Sequence, residues 1–92
     1  MPLFTIVADY QGGTYITQVL AGDPNEAASL WPDSPDLRDI AVPLRLPLDD
    51  FRAGLHQPDP VQVGDLHNCW CVEAVSENGL LLLHIIKTDD RD

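Results

Sequence analysis

His67, Cys69 and Cys71 alternate along the stretch "HNCWCVEAVSE". On a strand they point the same way, and soft ligands on one face raise the question of a metal. Consecutive same-face residues of a strand lie about 7 Å apart, so three of them do not converge on one ion. His84, from the neighbouring strand, is the only further ligand in reach of that idea. No metal is expected, and the cysteines read as buried structural thiols. A cysteine nucleophile would need a base within hydrogen-bond reach. The sequence offers His84 opposite Glu73, with Cys71 diagonal to it. Residues in the middle of a flat strand form no pocket, and no loop follows to supply an oxyanion hole. A cross-strand Glu–His pair is the simpler reading. Asp49 and Asp50 resemble a carboxylate pair for acid–base work. Neighbours on a helix diverge, and helix-end electrostatics accounts for them. No catalytic residue and no cofactor is expected, and the protein reads as a non-enzyme.

The Gly12-Gly13 pair in "YQGGTYITQ" raises a second question, that of a phosphate loop. Such a loop needs a helix N-terminus directly after the glycines, so that backbone amides converge on the anion. Here Thr14, Tyr15, Ile16 and Thr17 head a strand instead. The glycines therefore read as a hairpin turn, in a register that pairs Tyr10 with Tyr15.

The elements that position these residues are legible at both ends. "LFTIVADY" (residues 3–10) and "TYITQVL" (14–20) are β-branched and aromatic, and read as a first hairpin. Asp23 is a good N-cap, Pro24 suits the first helical position, and Glu26 completes a capping-box pattern. Ala27, Leu30 and Trp31 then share a helix face, with Trp31 as the anchor, and Pro32 ends the helix. Residues 33–46 give no clear reading. A second helix is expected from Pro47, with Leu48, Phe51 and Leu55 on one face and Pro58 ending it. "PDPVQVGDL" reads as a connector. A second hairpin joins 67–77 to "LLLLHIIKT" (80–88) through Asn78-Gly79, pairing Glu77 with Leu80. One face then holds Trp70, Val72, Ala74, Leu81, Leu83 and Ile85, the core face. The other holds Cys69, Cys71, Val75, Leu80, Leu82 and Ile86, too apolar for plain exposure to water. The whole reads as one α+β domain over residues 1–92. Its four-stranded antiparallel sheet, in ββα–αββ order, has helices on one face. An acidic tail frays over 88–92.

The chain has 92 residues, 15 acids and five bases, for a formal charge of −10. Twelve of the acids are Asp. Such a surface repels nucleic-acid phosphates and steers basic proteins toward it. The opening "MPLFTIVADY" has no basic n-region, and no apolar run nears the roughly 20 residues that span a bilayer. Cys69 and Cys71 on one strand sit about 6.5–7 Å apart, at the limit for a disulfide, so free thiols in a cytoplasmic protein are expected.

Two resemblances accompany these readings. "FTIVADYQGGTYITQV" followed by "DPNEAASLW" resembles the start of the HicB-type antitoxin fold, a hairpin and then a helix. The chain lacks the Gly-Cys element usual after that hairpin and has no recognisable DNA-binding tail, so DNA binding is not implied. "ADYQGGTYITQ", "NCWC" and "IIKT" are similar, in the same order, to blocks of a group of small uncharacterised bacterial proteins. That likeness implies a single domain and no particular activity.

The functional expectation is an acidic binding domain that neutralises a basic protein partner, as immunity proteins and antitoxins do. Tyr10, Tyr15, Leu80 and Leu82 are the candidate anchors; Asp9, Glu73 and Glu77 are the candidate charges. The alternative is a homodimer with a structural or housekeeping role, its apolar sheet face covered by a second copy. Neither reading involves nucleic acid or a membrane.

Overall fold

Phe4, Ile6, Ala8 and Tyr10 are buried while Thr5, Val7 and Asp9 between them are only half-buried. This period of two is the mark of a strand with one face in a core. The structure, a computed structural model, describes residues 1–34, 37, 51, 55, 59–76 and 79–90. Its strands are β1 (Pro2–Tyr10), β2 (Gly13–Leu20), β3 (Val61–Gln62), β4 (Cys69–Ser76) and β5 (Gly79–Asp90). They form one antiparallel sheet in the order β2-β1-β5-β4-β3, with the first and last strands paired at its centre.

Leu37 and Phe51 are helical within segments otherwise outside the described residues; the α-helix described along its whole length is α1 (Pro24–Leu30), followed by a 3-10 turn over Trp31–Asp33. Asp23 caps it, Oδ1 accepting from the Glu26 N–H at 2.8 Å. Glu26 reaches back in turn, accepting from the Gly22 N–H at 3.0 Å. Ala27, Ala28 and Trp31 face the core, whereas Leu30 is exposed, so the buried stripe runs through Ala28 rather than Leu30. Small residues at 27 and 28 let the helix lie close to the sheet, and Trp31 fills the space beyond its end.

The four-stranded sheet expected from the sequence is thus corrected to five strands in one sheet, with α1 the one helix described along its whole length. The additional strand comes from "PDPVQVGDL": Val61 pairs with Cys71 and Gln62 with Trp70. Two residues are too few to display an alternating pattern, and the prolines on either side of Asp59 hide the strand further. The second helix expected from Pro47 falls mostly outside the described residues. Within that stretch Phe51 and Leu55 are buried, and the Leu55 N–H donates to the Phe51 carbonyl at 2.8 Å. The tail is corrected too: β5 runs to Asp90, pairing Asp89 with Leu3 and Asp90 with Pro2. Residues 91 and 92 lie outside the described set.

Both hairpins adopt registers two residues away from those expected. In the first, Tyr10 pairs with Gly13 and Ala8 with Tyr15. The loop is therefore Gln11-Gly12, with φ of 48° and 80°. Two consecutive positive φ values match the twist of the flanking strands. Gly13 belongs to the strand, and a Cβ there would lie 2.8 Å from Tyr15 Cζ, so it is glycine because the Tyr15 ring lies over it. In the second hairpin Ser76 pairs with Gly79, Glu73 with Leu82 and Cys71 with His84.

The core lies on one side of the sheet. Phe4, Ile6, Ala8, Tyr10, Val19, Val72, Ala74, Leu81, Leu83 and Ile85 meet Ala27, Ala28, Trp31, Leu37, Phe51 and Leu55 there. Phe4 and Trp70 pack tilted at 6.3 Å, and Tyr10 meets Phe51 edge-on at 5.3 Å. Burying an aromatic ring of this kind is worth about 2–3 kcal/mol. No helix among the described residues is long and apolar enough to cross a membrane.

Candidate functional site

The opposite side of the sheet is built from the residues between the core positions. Register places them in rows across the strands. The central row reads Ile16, Val7, His84, Cys71 and Val61 from β2 to β3. On one side lies the row Gln18, Thr5, Ile86, Cys69; on the other lies Thr14, Asp9, Leu82, Glu73. Val75 and Leu80 form a further pair toward the second hairpin loop. These side chains are exposed or half-buried: Val75 keeps 77% of its surface, Ile16 65% and Val61 63%. Isolated exposed apolar residues are ordinary; here they gather around His84 across five strands, which makes this face the candidate site.

Polar groups frame this surface. The Thr14 hydroxyl donates to Asp9 Oδ1 at 2.8 Å, and Gln18 Nε2 donates to Thr5 Oγ1 at 3.1 Å. The Thr5 hydroxyl also bonds that of Thr88, which stands at an irregularity where Phe4 pairs with Lys87 and Leu3 with Asp89. Asp9 and Glu73 give the face two carboxylates. No Lys or Arg among the described residues joins them, since Lys87 pairs with Phe4 on the core side.

Four of the expected contact residues, Asp9, Glu73, Leu80 and Leu82, come together on this face. Tyr10 does not: it is buried on the core side against Phe51, which withdraws it from any partner. Tyr15 is half-buried on that same side, packed over Gly13. Glu77 lies outside the described residues. Val7, Ile16 and Val61 belong to the face and were not singled out from the sequence. The alternation of β1, which sets Val7 and Asp9 opposite Phe4 and Ile6, is the signal for the first of them.

The cysteine–histidine pair sits closer than the sequence implied, with Cys71 directly across from His84 and Glu73 diagonal to it. Burial pushes the Cys71 thiol above its ordinary value, and the nearby Glu73 and Cys69 charges push it further. A nucleophilic cysteine needs a shift in the other direction. Both cysteines are free thiols. Among the described residues, no group of three or more His, Cys, Asp or Glu side chains is placed to hold a metal ion. A shallow groove of about 370 Å³ runs between the end of β2 and the helix, walled by Val19, Leu20 and Leu30. Its lining is apolar and brings no acid–base pair together.

No protein-family model, no curated protein and no solved structure matches the chain. The site is therefore read from its own geometry.

Proposed function

We propose that this chain is a non-enzymatic binding protein whose open sheet face seats the surface of a basic protein, in the manner of an immunity protein or antitoxin. The observation that carries this reading is the composition of that face: Ile16, Val7, Leu82, Cys71, Ile86 and Val61 lie exposed or half-buried around His84, with Asp9 and Glu73 flanking Leu82 and no Lys or Arg among the described residues of the face. An apolar anchor of the partner would sit over Leu82, Cys71 and Val7, where contacts count most. Partner Lys or Arg side chains would meet the two carboxylates on either side of Leu82. The formal charge of −10 would speed the encounter and make it sensitive to salt. Two free thiols suit a reducing compartment, and we place the protein in the cytoplasm.

The reading is tested by capture from native lysate at low salt with three baits: the wild type, Glu73→Lys, and Asp59→Lys. Asp59 is an exposed residue outside the sheet, so its reversal changes the net charge equally without touching the face. The expected result is one stoichiometric basic protein, released by salt, retained by Asp59→Lys and lost from Glu73→Lys. Equal retention by both variants, or no capture by any bait, would overturn it.

A further inference from the structure

The two edges of the sheet are treated differently. At one edge β3 is two residues long and follows Pro60, which cannot donate a hydrogen bond, so that edge is blunted. At the other edge β2 runs for eight residues, "GTYITQVL", with no proline and no ionisable acid or base. Tyr10–Gly13 closes a two-residue hairpin loop, and such a closing pair is hydrogen-bonded, which directs the backbone groups of Gly13, Tyr15, Thr17 and Val19 toward β1. The bond from the Ala21 N–H to the Pro2 carbonyl, 3.2 Å, continues the same parity. Thr14, Ile16, Gln18 and Leu20 therefore turn their N–H and C=O groups outward. Among the described residues no strand pairs with them, and all four are exposed. Natural edge strands of this length are ordinarily protected by a charge, a bulge or a proline. This one has none of the three.

We propose that β2 is the edge at which two copies of this chain pair, antiparallel, joining two five-stranded sheets into one continuous sheet. Charge selects the second copy as the occupant. In a chain of −10, two copies repel wherever acids face acids, and the open sheet face presents Asp9 and Glu73 to any copy stacked upon it. Along β2 itself stands no Asp, Glu, Lys, Arg or His, so two copies paired there set no β2 charges against each other; the nearest acids, Asp9 and Asp33, flank its ends. Antiparallel pairing of a strand with itself is self-complementary about a twofold axis, so one patch serves both copies. The blunted β3 edge then ends the assembly at a dimer, because growth into a fibre would need two open edges. The twofold axis stands perpendicular to the sheet, so both open faces lie on the same side and merge into one surface. This proposal does not depend on the basic-partner reading, and either can fail alone.

Sedimentation equilibrium of the purified chain tests it, with three variants checked for folding by far-UV circular dichroism. Ile16→Pro deletes an outward N–H and no bond to β1. Gln18→Glu leaves the backbone intact and sets an acid on each copy at the seam. Leu82→Asp alters the open face away from the edge. The wild type is expected at about twice its 10.1 kDa mass, as is Leu82→Asp, with the population of dimer at least tenfold lower in Ile16→Pro and Gln18→Glu. A wild type that stays monomeric at about 100 µM, where even a weak dimer is populated, would overturn it. So would a dimer that persists in Gln18→Glu, or one that Leu82→Asp dissolves.

Discussion

Cys71 shows how far one residue's surroundings decide its chemistry. Burial, Glu73 and Cys69 all favour its neutral thiol, so the thiolate fraction at neutral pH is small. In a Cys69→Ser background, alkylation of Cys71 is therefore expected to be slow at pH 8 and to rise through a midpoint above the ordinary thiol range of about 8.5. Glu73→Gln removes a raising charge, so it should move that midpoint down and speed the reaction at pH 8. Peptide mapping of the alkylated protein measures both, and a midpoint that stays put in Glu73→Gln would contradict the assignment. Thr17 offers a second test at this scale. Its hydroxyl is buried on the core side of β2 and has no hydrogen-bond partner among the described residues. A buried hydroxyl without a partner costs about 1–3 kcal/mol. Thr17→Val keeps the branched shape and deletes the polar atom, so a stability gain of roughly 1 kcal/mol is expected in urea denaturation. A loss would show that the hydroxyl is satisfied in solution.

At the scale of the element, α1 depends on its first turn. It has only seven residues, too few to stand without caps and tertiary packing. Asp23→Ala leaves the Glu26 N–H without its acceptor and should lower stability by about 1 kcal/mol, read as a reduced urea midpoint with unchanged slope. This helix was legible in the sequence because its cap residues act locally: Asp23, Pro24 and Glu26 each contact positions within four residues of themselves. The strand faces were legible for a similar reason, since Phe4, Ile6 and Ala8 alternate with Thr5 and Val7 in the chain itself. The registers were not. A shift of two residues leaves every side chain on its own face, so Tyr10 with Tyr15 and Tyr10 with Gly13 satisfy the same alternation. The choice came from the turn, where Gln11 and Gly12 both take positive φ and free Gly13 to lie beneath the Tyr15 ring. β3 stayed hidden because two residues carry no period. Tyr10 shares the alternation of Phe4, Ile6 and Ala8, so its spacing in the chain sets it inside, and its aromatic character alone does not make it a contact.

Across the whole molecule, the sheet divides the protein into a covered side and an open one. Aromatic and aliphatic side chains with α1 and Trp31 occupy the first. The second carries exposed or half-buried apolar residues from all five strands, with Asp9 and Glu73 on either side of Leu82. Natural sheets with one solvated face place polar residues there, so keeping Ile16, Leu82, Val75 and Val61 outside has a cost in solubility that a contact surface explains. In the proposed function the acidic excess would act at longer range, raising the rate at which a basic protein arrives, and the apolar residues of the face would then hold it. The β2 edge adds a separate consequence, since pairing there would double the open surface without covering it.

The account stands most directly on the proposed affinity of the open face for a basic protein. Once that partner is captured, the decisive measurement is its titration by calorimetry against the wild type, Glu73→Lys, Leu82→Asp and Asp59→Lys, at 50 and 300 mM salt. The account predicts that Glu73→Lys and Leu82→Asp each weaken binding at least tenfold, or about 1.4 kcal/mol. It predicts that Asp59→Lys shifts binding only slightly, and that salt weakens the wild type more than Glu73→Lys. Equal affinities for the wild type and both face variants would place the contact elsewhere on the molecule and contradict the central claim.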